Sequence, residues 1–260
     1  MNFVGKIITA TRITMKTPRP YGALHLTFFI CGLLFSLFAA KRLQNANEKT
    51  NRRLIFGIGL FLTVAEIYKQ LYFYIIIGRG SYIWEVFPFQ PCSVAMYLCL
   101  ALPFIKNKKI TGLFYNYLTF YVGFGGIVTY LVPVSVLTEH LPVNLHTLLW
   151  HMLLIFLSVY LILSGKINFS KNTYISATKL YLVLCGIAFL INYTVTKSTN
   201  QYISMFFIGP QVPDIVILNT IGARFGAAAA SLLSVFAVCF GAYLFYRIVL
   251  YQSRQNHTRF

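Results

Sequence analysis

The chain has 260 residues, of which 58% are apolar and only 10% are charged. A soluble globular domain carries about a quarter charged residues, so this composition excludes that class. The net charge of +17 comes from 22 lysines and arginines against 5 acidic residues. These basic residues lie mostly between apolar runs, so we expect anionic lipid head groups as their counter-charges and no nucleic-acid partner.

In chain order, a basic and weakly apolar stretch at 1–20 comes first and is interpreted as an interfacial N-terminal arm. Apolar runs of about 20 residues, long enough to cross a bilayer as helices, follow it. The sequence therefore predicts an all-α polytopic membrane helix bundle, a single transmembrane domain at 21–250, and a basic tail at 251–260. The seven predicted spans are 21–40, 54–77, 87–105, 110–133, 146–164, 175–195 and 226–249.

The third predicted span differs from the others because it opens with FPFQPCSV at 87–94. Two prolines, a glutamine and a cysteine stand where a spanning helix usually has plain apolar side chains. A helix that begins at Pro91 has only about 15 residues, which is short for a full crossing. Irregular backbone at membrane depth is tolerated only where protein or a water-filled cavity surrounds it. We therefore expect a broken or short third span, and we look there first for function.

The loops carry an uneven share of lysine and arginine. Twelve lie on the side of the loops near 41–53, 106–109 and 166–171 and the C-terminal tail, against seven on the other side. Because loops inside the cell are enriched in these residues, the C-terminus is predicted inside and the N-terminus outside.

Polar side chains on four spans fall at a similar depth. Because successive spans alternate in direction, these side chains fall in the same half of the membrane whichever way the whole protein is oriented. They are Glu66, Lys69, Gln70, Cys92, His151 and Asn192. At about 1.5 Å rise per residue, all lie roughly 5–15 Å below one surface. Ionisable residues are costly inside a membrane and usually mark functional positions. A common polar cavity is therefore predicted.

Cys92 is the candidate nucleophile. At the N-terminus of a helix, unpaired N–H groups and the helix dipole would stabilise its thiolate. His151 could act as base and then as acid to the leaving group. Gln90 and the backbone N–H groups of Ser93 and Val94 could stabilise an oxyanion. The alternative is that Cys92 is a small apolar filler, as free cysteine often is.

The other polar residues also have two interpretations each. His151 could be a structural side chain that bonds a neighbouring helix or a carbonyl group. Glu66 and Lys69 are three residues apart and could form an internal ion pair, hold a polar head group or belong to a proton path. Asn192 could bond another helix or line the site. A metal is not expected, since His146 and His151 are five apart and do not share a helix face, and no cofactor is expected.

Four segments, taken in order, resemble the YwaF-type bacterial integral membrane proteins, which are similar to the eukaryotic transmembrane protein 164 acyltransferases. The segments are WEVFPFQPCSVAMYL at 84–98, YVGFGGIVTYLVP at 121–133, WHMLLIFLSVY at 150–160 and INY at 191–193. The resemblance implies a bacterial cell membrane, an acyl-carrying cysteine at Cys92 and a partner histidine at His151. It also implies transfer of a fatty acyl chain from a phospholipid to a lysophospholipid.

Two other function classes stay open. A small-solute or ion transporter would use Glu66, Lys69 and His151 as a polar pathway. Transporters typically have paired repeats with matching broken helices, and the sequence shows one broken entry. A non-catalytic seven-span scaffold or receptor fits the span count, which alone assigns no function. The sequence indicates neither the oligomeric state nor the donor and acceptor lipids.

Overall fold

The computed structural model of the protein describes residues 3–133 and 136–257, with side chains to residue 255. Within these residues, ten α-helices follow one another: α1 (Phe3–Ala10), α2 (Ala23–Leu43), α3 (Glu48–Tyr72), α4 (Val94–Ala101), α5 (Lys108–Tyr117), α6 (Gly123–Leu131), α7 (Leu141–Leu163), α8 (Lys171–Thr199), α9 (Val216–Phe225) and α10 (Ala227–His257). A π-helical segment at Phe73–Ile77 extends α3, and a second at Leu118–Val122 joins α5 to α6.

The predicted all-α polytopic bundle is confirmed. Five helical segments of the described chain are long and apolar enough to cross a membrane: α2, α3 with its π-helical extension, α7, α8 and most of α10. The predicted fourth span is the continuous helix from α5 to α6. The third is short, as expected: α4 has eight residues, and a 3₁₀ turn at Leu102–Phe104 follows it.

The connection between α8 and α10 lies between the sixth and seventh predicted spans, and it is partly helical. It contains a 3₁₀ turn at Met205–Phe207 and the helix α9. Several large apolar side chains of α9 are exposed, including Val216 and Phe225, and α9 packs against α10. At ten residues α9 is too short to span a bilayer, which is why hydropathy alone did not reveal it.

The π-helical segment between α5 and α6 lies at the centre of the bundle, and all five of its residues are buried. Helices α7, α8 and α10 pack around it, and α2 lies along α7. Tyr121, in this segment, stacks on Tyr117 of α5 and on Tyr181 of α8, with ring centroids 5.5 and 4.7 Å apart. Aromatic stacking thus fixes α8 against the centre of the bundle.

The N-terminal arm folds back onto one end of the bundle. Ile8 of α1 is buried with Tyr72 and Val143, near the end of α3 and the start of α7. Beyond α1 the chain is extended, and Thr14 forms an isolated β-bridge with His140. The polar residues described next lie in the half of α3 and the half of α7 that are nearest to this end.

Candidate functional site

A row of polar side chains occupies the second half of α3. The Glu66 carboxylate accepts hydrogen bonds from Lys69 Nζ at 2.8 Å and from Gln70 Nε2 at 2.7 Å. These residues lie three and four positions apart, which places them on one face of a helix. The Glu66 side chain is only 5% exposed and that of Lys69 17%. The ion pair that the spacing allowed is therefore present and nearly buried.

The same row holds the segment that leads to α4. Gln70 Nε2 also donates to the Val86 carbonyl at 2.6 Å, and its Oε1 accepts from the Tyr82 hydroxyl at 2.9 Å. The chain between α3 and FPFQPCSV is thus tied to the face of α3 that carries the ion pair.

The structure corrects the expected position of Cys92. Helix α4 begins at Val94, so Cys92 lies in the turn before the helix and not in its first turn. The N–H groups of Ser93 and Val94 both donate to the Gln90 carbonyl, at 2.8 and 3.2 Å. They are therefore not free for an oxyanion, and the Ser93 side chain is itself buried. Hydropathy could not show that this tight turn uses both donors.

Lys69 is the shared neighbour of the candidate catalytic groups. Its ammonium lies close enough to act electrostatically on Cys92, His146 and His151. Glu66, its ion-pair partner, also acts on Cys92. Three other predicted site residues, Glu66 of α3, Cys92 before α4 and His151 of α7, therefore lie within electrostatic range of this cation, and Glu66 contacts it directly.

The hydrogen bonding of His151 defines its tautomer. Nδ1 lies 2.8 Å from the carbonyl oxygen of Thr147, which can only accept a hydrogen bond. Nδ1 must then carry the proton, and Nε2 of the neutral ring carries a lone pair. Nε2 makes no hydrogen bond within the described residues, and the side chain is partly exposed. The ring is thus held by its own helix with its basic nitrogen available.

His146 also lies within electrostatic range of Lys69, although the sequence did not mark it as a site residue. Its ring stacks on Trp150 with centroids 5.2 Å apart. Its Nε2 is buried and has no hydrogen-bond partner within the described residues. The sequence signal was available: His146 lies four residues before Trp150 on the same helix face.

Asn192 does not line the site, which corrects its predicted role. The side chain is completely buried. Its Nδ2 donates to the carbonyl oxygens of Met205 and Ile208, and its Oδ1 accepts from the N–H of Met205. The amide is thus fully used in holding the segment 203–209 against α8, so it has nothing left for a ligand.

Gln90 is linked to that same segment. Its Oε1 accepts a hydrogen bond of 3.1 Å from the backbone N–H of Phe206. Its Nε2 donates to no residue that the structure describes, so this amide group remains available beside Cys92.

A cavity of about 300 Å³ opens between α3 and α4. Its lining is mostly apolar, with Glu66 and Gln70 as the polar members, and exposed Ile67 places it at the outer surface of the bundle. The other lining residues are Thr63, Leu71, Pro88 and Met96. A mostly apolar cavity with a few polar groups is typical of small-molecule sites.

Breaking the Glu66–Lys69 pair is expected to destabilise the protein. Glu66→Gln leaves the largely buried Lys69 ammonium without its carboxylate, which costs up to roughly 3–5 kcal/mol. Glu66→Gln combined with Lys69→Met removes both charges and should recover most of this loss. The free energy of unfolding, measured by thermal or denaturant unfolding in detergent, tests both variants.

Glu48 provides the control, because its carboxylate is 55% exposed and its two ion pairs, with Arg52 and with Lys166, lie at the protein surface. Glu48→Gln should cost less than about 1 kcal/mol. An equal loss from Glu48→Gln and Glu66→Gln would contradict the argument from burial.

A comparison with models of protein families assigns the chain to a family. The model of the TMEM164 family matches residues 17–220. The chain belongs to the TMEM164 family. The match covers α2 to α8 and part of α9, which includes the ion pair, the turn with Cys92 and both histidines of α7.

The TMEM164 match also reaches further than the sequence motifs suggested. The quoted segments run from 84 to 193, whereas the family model includes α2 and α3 as well. Comparison with curated proteins and with solved structures gave no match.

Proposed function

We propose that the protein is a membrane-embedded lipid acyltransferase that carries the acyl chain on Cys92. One observation carries the proposal: the TMEM164 family match covers both Cys92 and His151, and both lie within electrostatic range of Lys69. The free Nε2 of His151 and the cavity at the surface of the bundle support it. The substrates are a phospholipid as acyl donor and a lysophospholipid as acceptor.

In the first half-reaction, His151 Nε2 takes the proton of the Cys92 thiol, and the sulfur attacks the ester carbonyl of the donor. The ester C–O bond breaks, and the leaving alkoxide takes the proton from His151. The products are acyl-Cys92 and a lysophospholipid.

In the second half-reaction, His151 Nε2 takes a proton from the hydroxyl group of the acceptor. That oxygen attacks the thioester carbonyl, the C–S bond breaks, and the Cys92 sulfur recovers a proton from His151. No net oxidation or reduction occurs, and no cofactor is required. The charge that develops on the carbonyl oxygen in both halves needs a donor, and the Gln90 amide fills that role.

The acyl chain would lie in the cavity between α3 and α4, which Glu66 and Gln70 line, although Cys92 and His151 do not. We also propose that the chain is a YwaF-type bacterial member of the family, in the cell membrane with the N-terminus outside and the C-terminus inside. The basic loops on the inner side would then contact anionic lipid head groups. Accessibility of single cysteines placed in those loops to an impermeant thiol reagent tests the orientation.

A search for the acyl-enzyme tests the proposal. The purified protein is incubated in nanodiscs whose phosphatidylcholine carries an alkyne-tagged acyl chain. A tagged adduct should form on the peptide that contains Cys92, and neutral hydroxylamine should remove it, because thioesters are cleaved under those conditions. Addition of lysophosphatidylethanolamine should transfer the tag to lipid. An adduct at any other cysteine, or none, would contradict the proposal.

A further inference from the structure

The orientation of the Gln90 side chain is set from outside its own segment. The backbone N–H of Phe206 can only donate, so its partner on Gln90 must be the amide oxygen. Gln90 Oε1 therefore faces Phe206. The Nε2 group must then point away from Phe206. This contact joins residues 116 positions apart in the chain.

The partner segment is itself fixed by Asn192. The carbonyl groups of Met205 and Ile208 and the N–H of Met205 all bond to the one Asn192 amide. Gly209 then passes so close that an added Cβ would lie 3.1 Å from Asn192 Cβ, and its φ of 143° is one that other residues rarely adopt. The segment 203–209 is therefore fitted closely around this side chain.

Phe206 is held in an unfavourable backbone conformation. Its φ and ψ are 58° and 14°, in the left-handed region, and the φ of Phe207 is 56°. Such a conformation is unfavourable for a residue other than glycine, and it persists only where the surroundings impose it. The buried ring of Phe206 is packed between Phe89 and Tyr181, at centroid distances of 5.8 and 5.7 Å.

Phe89 immediately precedes Gln90, so ring packing and the backbone hydrogen bond both join Phe206 to the entry segment of α4. We propose that Asn192 and the backbone of Phe206 form a positioning device for Gln90, which aims Gln90 Nε2 at the carbonyl oxygen of the acyl group on Cys92. This inference rests on the proposed function and adds a positioning residue, Asn192, that contacts no substrate. The strain at Phe206 is the cost of placing an N–H group where it anchors Gln90.

A double-mutant cycle between Gln90 and Asn192 tests the device. Gln90→Met removes the Nε2 donor and the acceptor for Phe206 N–H with little change in shape, and Asn192→Ala releases the segment. The probe is p-nitrophenyl dodecanoate, an activated ester that acylates thiols without a natural lipid donor. The rate of Cys92 acylation is followed by p-nitrophenolate release and confirmed by peptide mass, in a background where the other four cysteines are alanine.

Loss of one oxyanion donor costs about 10²–10³ in rate. Gln90→Met and Asn192→Ala should therefore each slow acylation by about that factor, and the double variant should be no slower than Gln90→Met alone. Multiplicative effects would overturn the proposal, because independent sites give additive free energies. Asn192→Asp, which keeps the acceptor for Met205 N–H, provides a second cycle if Asn192→Ala does not fold.

Asn144 is a matched control, because it is equally buried and its amide also bonds both the N–H and the carbonyl of one loop residue, Thr138. Asn144→Ala should lower the unfolding temperature but leave the acylation rate of Cys92 within about twofold. A rate loss equal to that of Asn192→Ala would overturn the proposal. If the activated ester acylates Cys92 but phospholipid never does, the proposed function fails while the cycle still decides the role of Asn192.

Discussion

Cys92→Ser is expected to abolish transfer of a phospholipid acyl chain, with a loss of at least about 10³-fold in rate. A serine hydroxyl at this position is not ionised, and removal of a nucleophile that works as a unit with its base has effects of this size or larger. The measurement is formation of tagged lipid from alkyne-tagged phosphatidylcholine and lysophosphatidylethanolamine. Any residual adduct should be an oxygen ester that resists neutral hydroxylamine.

Cys99→Ala is the control for this substitution. Cys99 lies on α4, is completely buried and packs against Gly59. Its loss removes a small buried group and should cost some stability without changing the transfer rate. Equal transfer or equal labelling by a thiol-reactive lipid analogue in Cys92→Ser and wild type would mean that Cys92 is only a packing residue. Solute uptake into proteoliposomes that is lost in Glu66→Gln would instead support a transporter.

Most of the fold could be predicted from hydropathy, because a segment that crosses a membrane must be long and apolar. The prolines at 88 and 91 also indicated correctly that the third span is short. Helix α9 was missed because a ten-residue amphipathic helix leaves no comparable signal. The packing of α1 on the end of α3 was missed because it depends on contacts between residues far apart in the chain.

The site was predictable where it depends on spacing along one helix. Glu66, Lys69 and Gln70 interact because residues three and four apart are neighbours on a helix surface. Asn192 was assigned wrongly because the sequence does not show that residues 203–209 return to α8 and occupy its amide. The N–H groups of Ser93 and Val94 were assigned wrongly for a similar reason, since the turn that uses them is specified by local geometry.

Proximity at a common depth was the most productive inference from the sequence, because alternation of span direction does not depend on exact boundaries. It placed Cys92, His151, Glu66, Lys69 and Asn192 at one depth; of these, Glu66 contacts Lys69 directly, Cys92 and His151 lie within its electrostatic range, and Asn192 instead bonds residues 205 and 208. The argument from depth omitted His146, which the structure shows stacked on Trp150 of the same helix.

His151→Asn is expected to lower the transfer rate by about 10²–10⁴-fold, the usual contribution of a general acid–base. Asparagine is chosen because its amide nitrogen takes the place of Nδ1 and keeps the hydrogen bond to the Thr147 carbonyl, while Nε2 is lost. The structural role of the ring is thereby separated from its chemical role. Transfer of the tagged chain and the unfolding temperature are measured on the same preparation.

The two roles of His151 make opposite predictions for this variant. If His151 only satisfies the Thr147 carbonyl, His151→Asn should transfer at the wild-type rate, and that result would remove it from the mechanism. His146→Phe keeps the stacking on Trp150 and removes both ring nitrogens, of which Nε2 is buried without a hydrogen-bond partner among the described residues, so it should lose less than about tenfold. Both imidazoles lie within electrostatic range of Lys69, but only the one that moves the proton is required for the chemical step. A larger loss in His146→Phe than in His151→Asn would therefore identify His146 as the base.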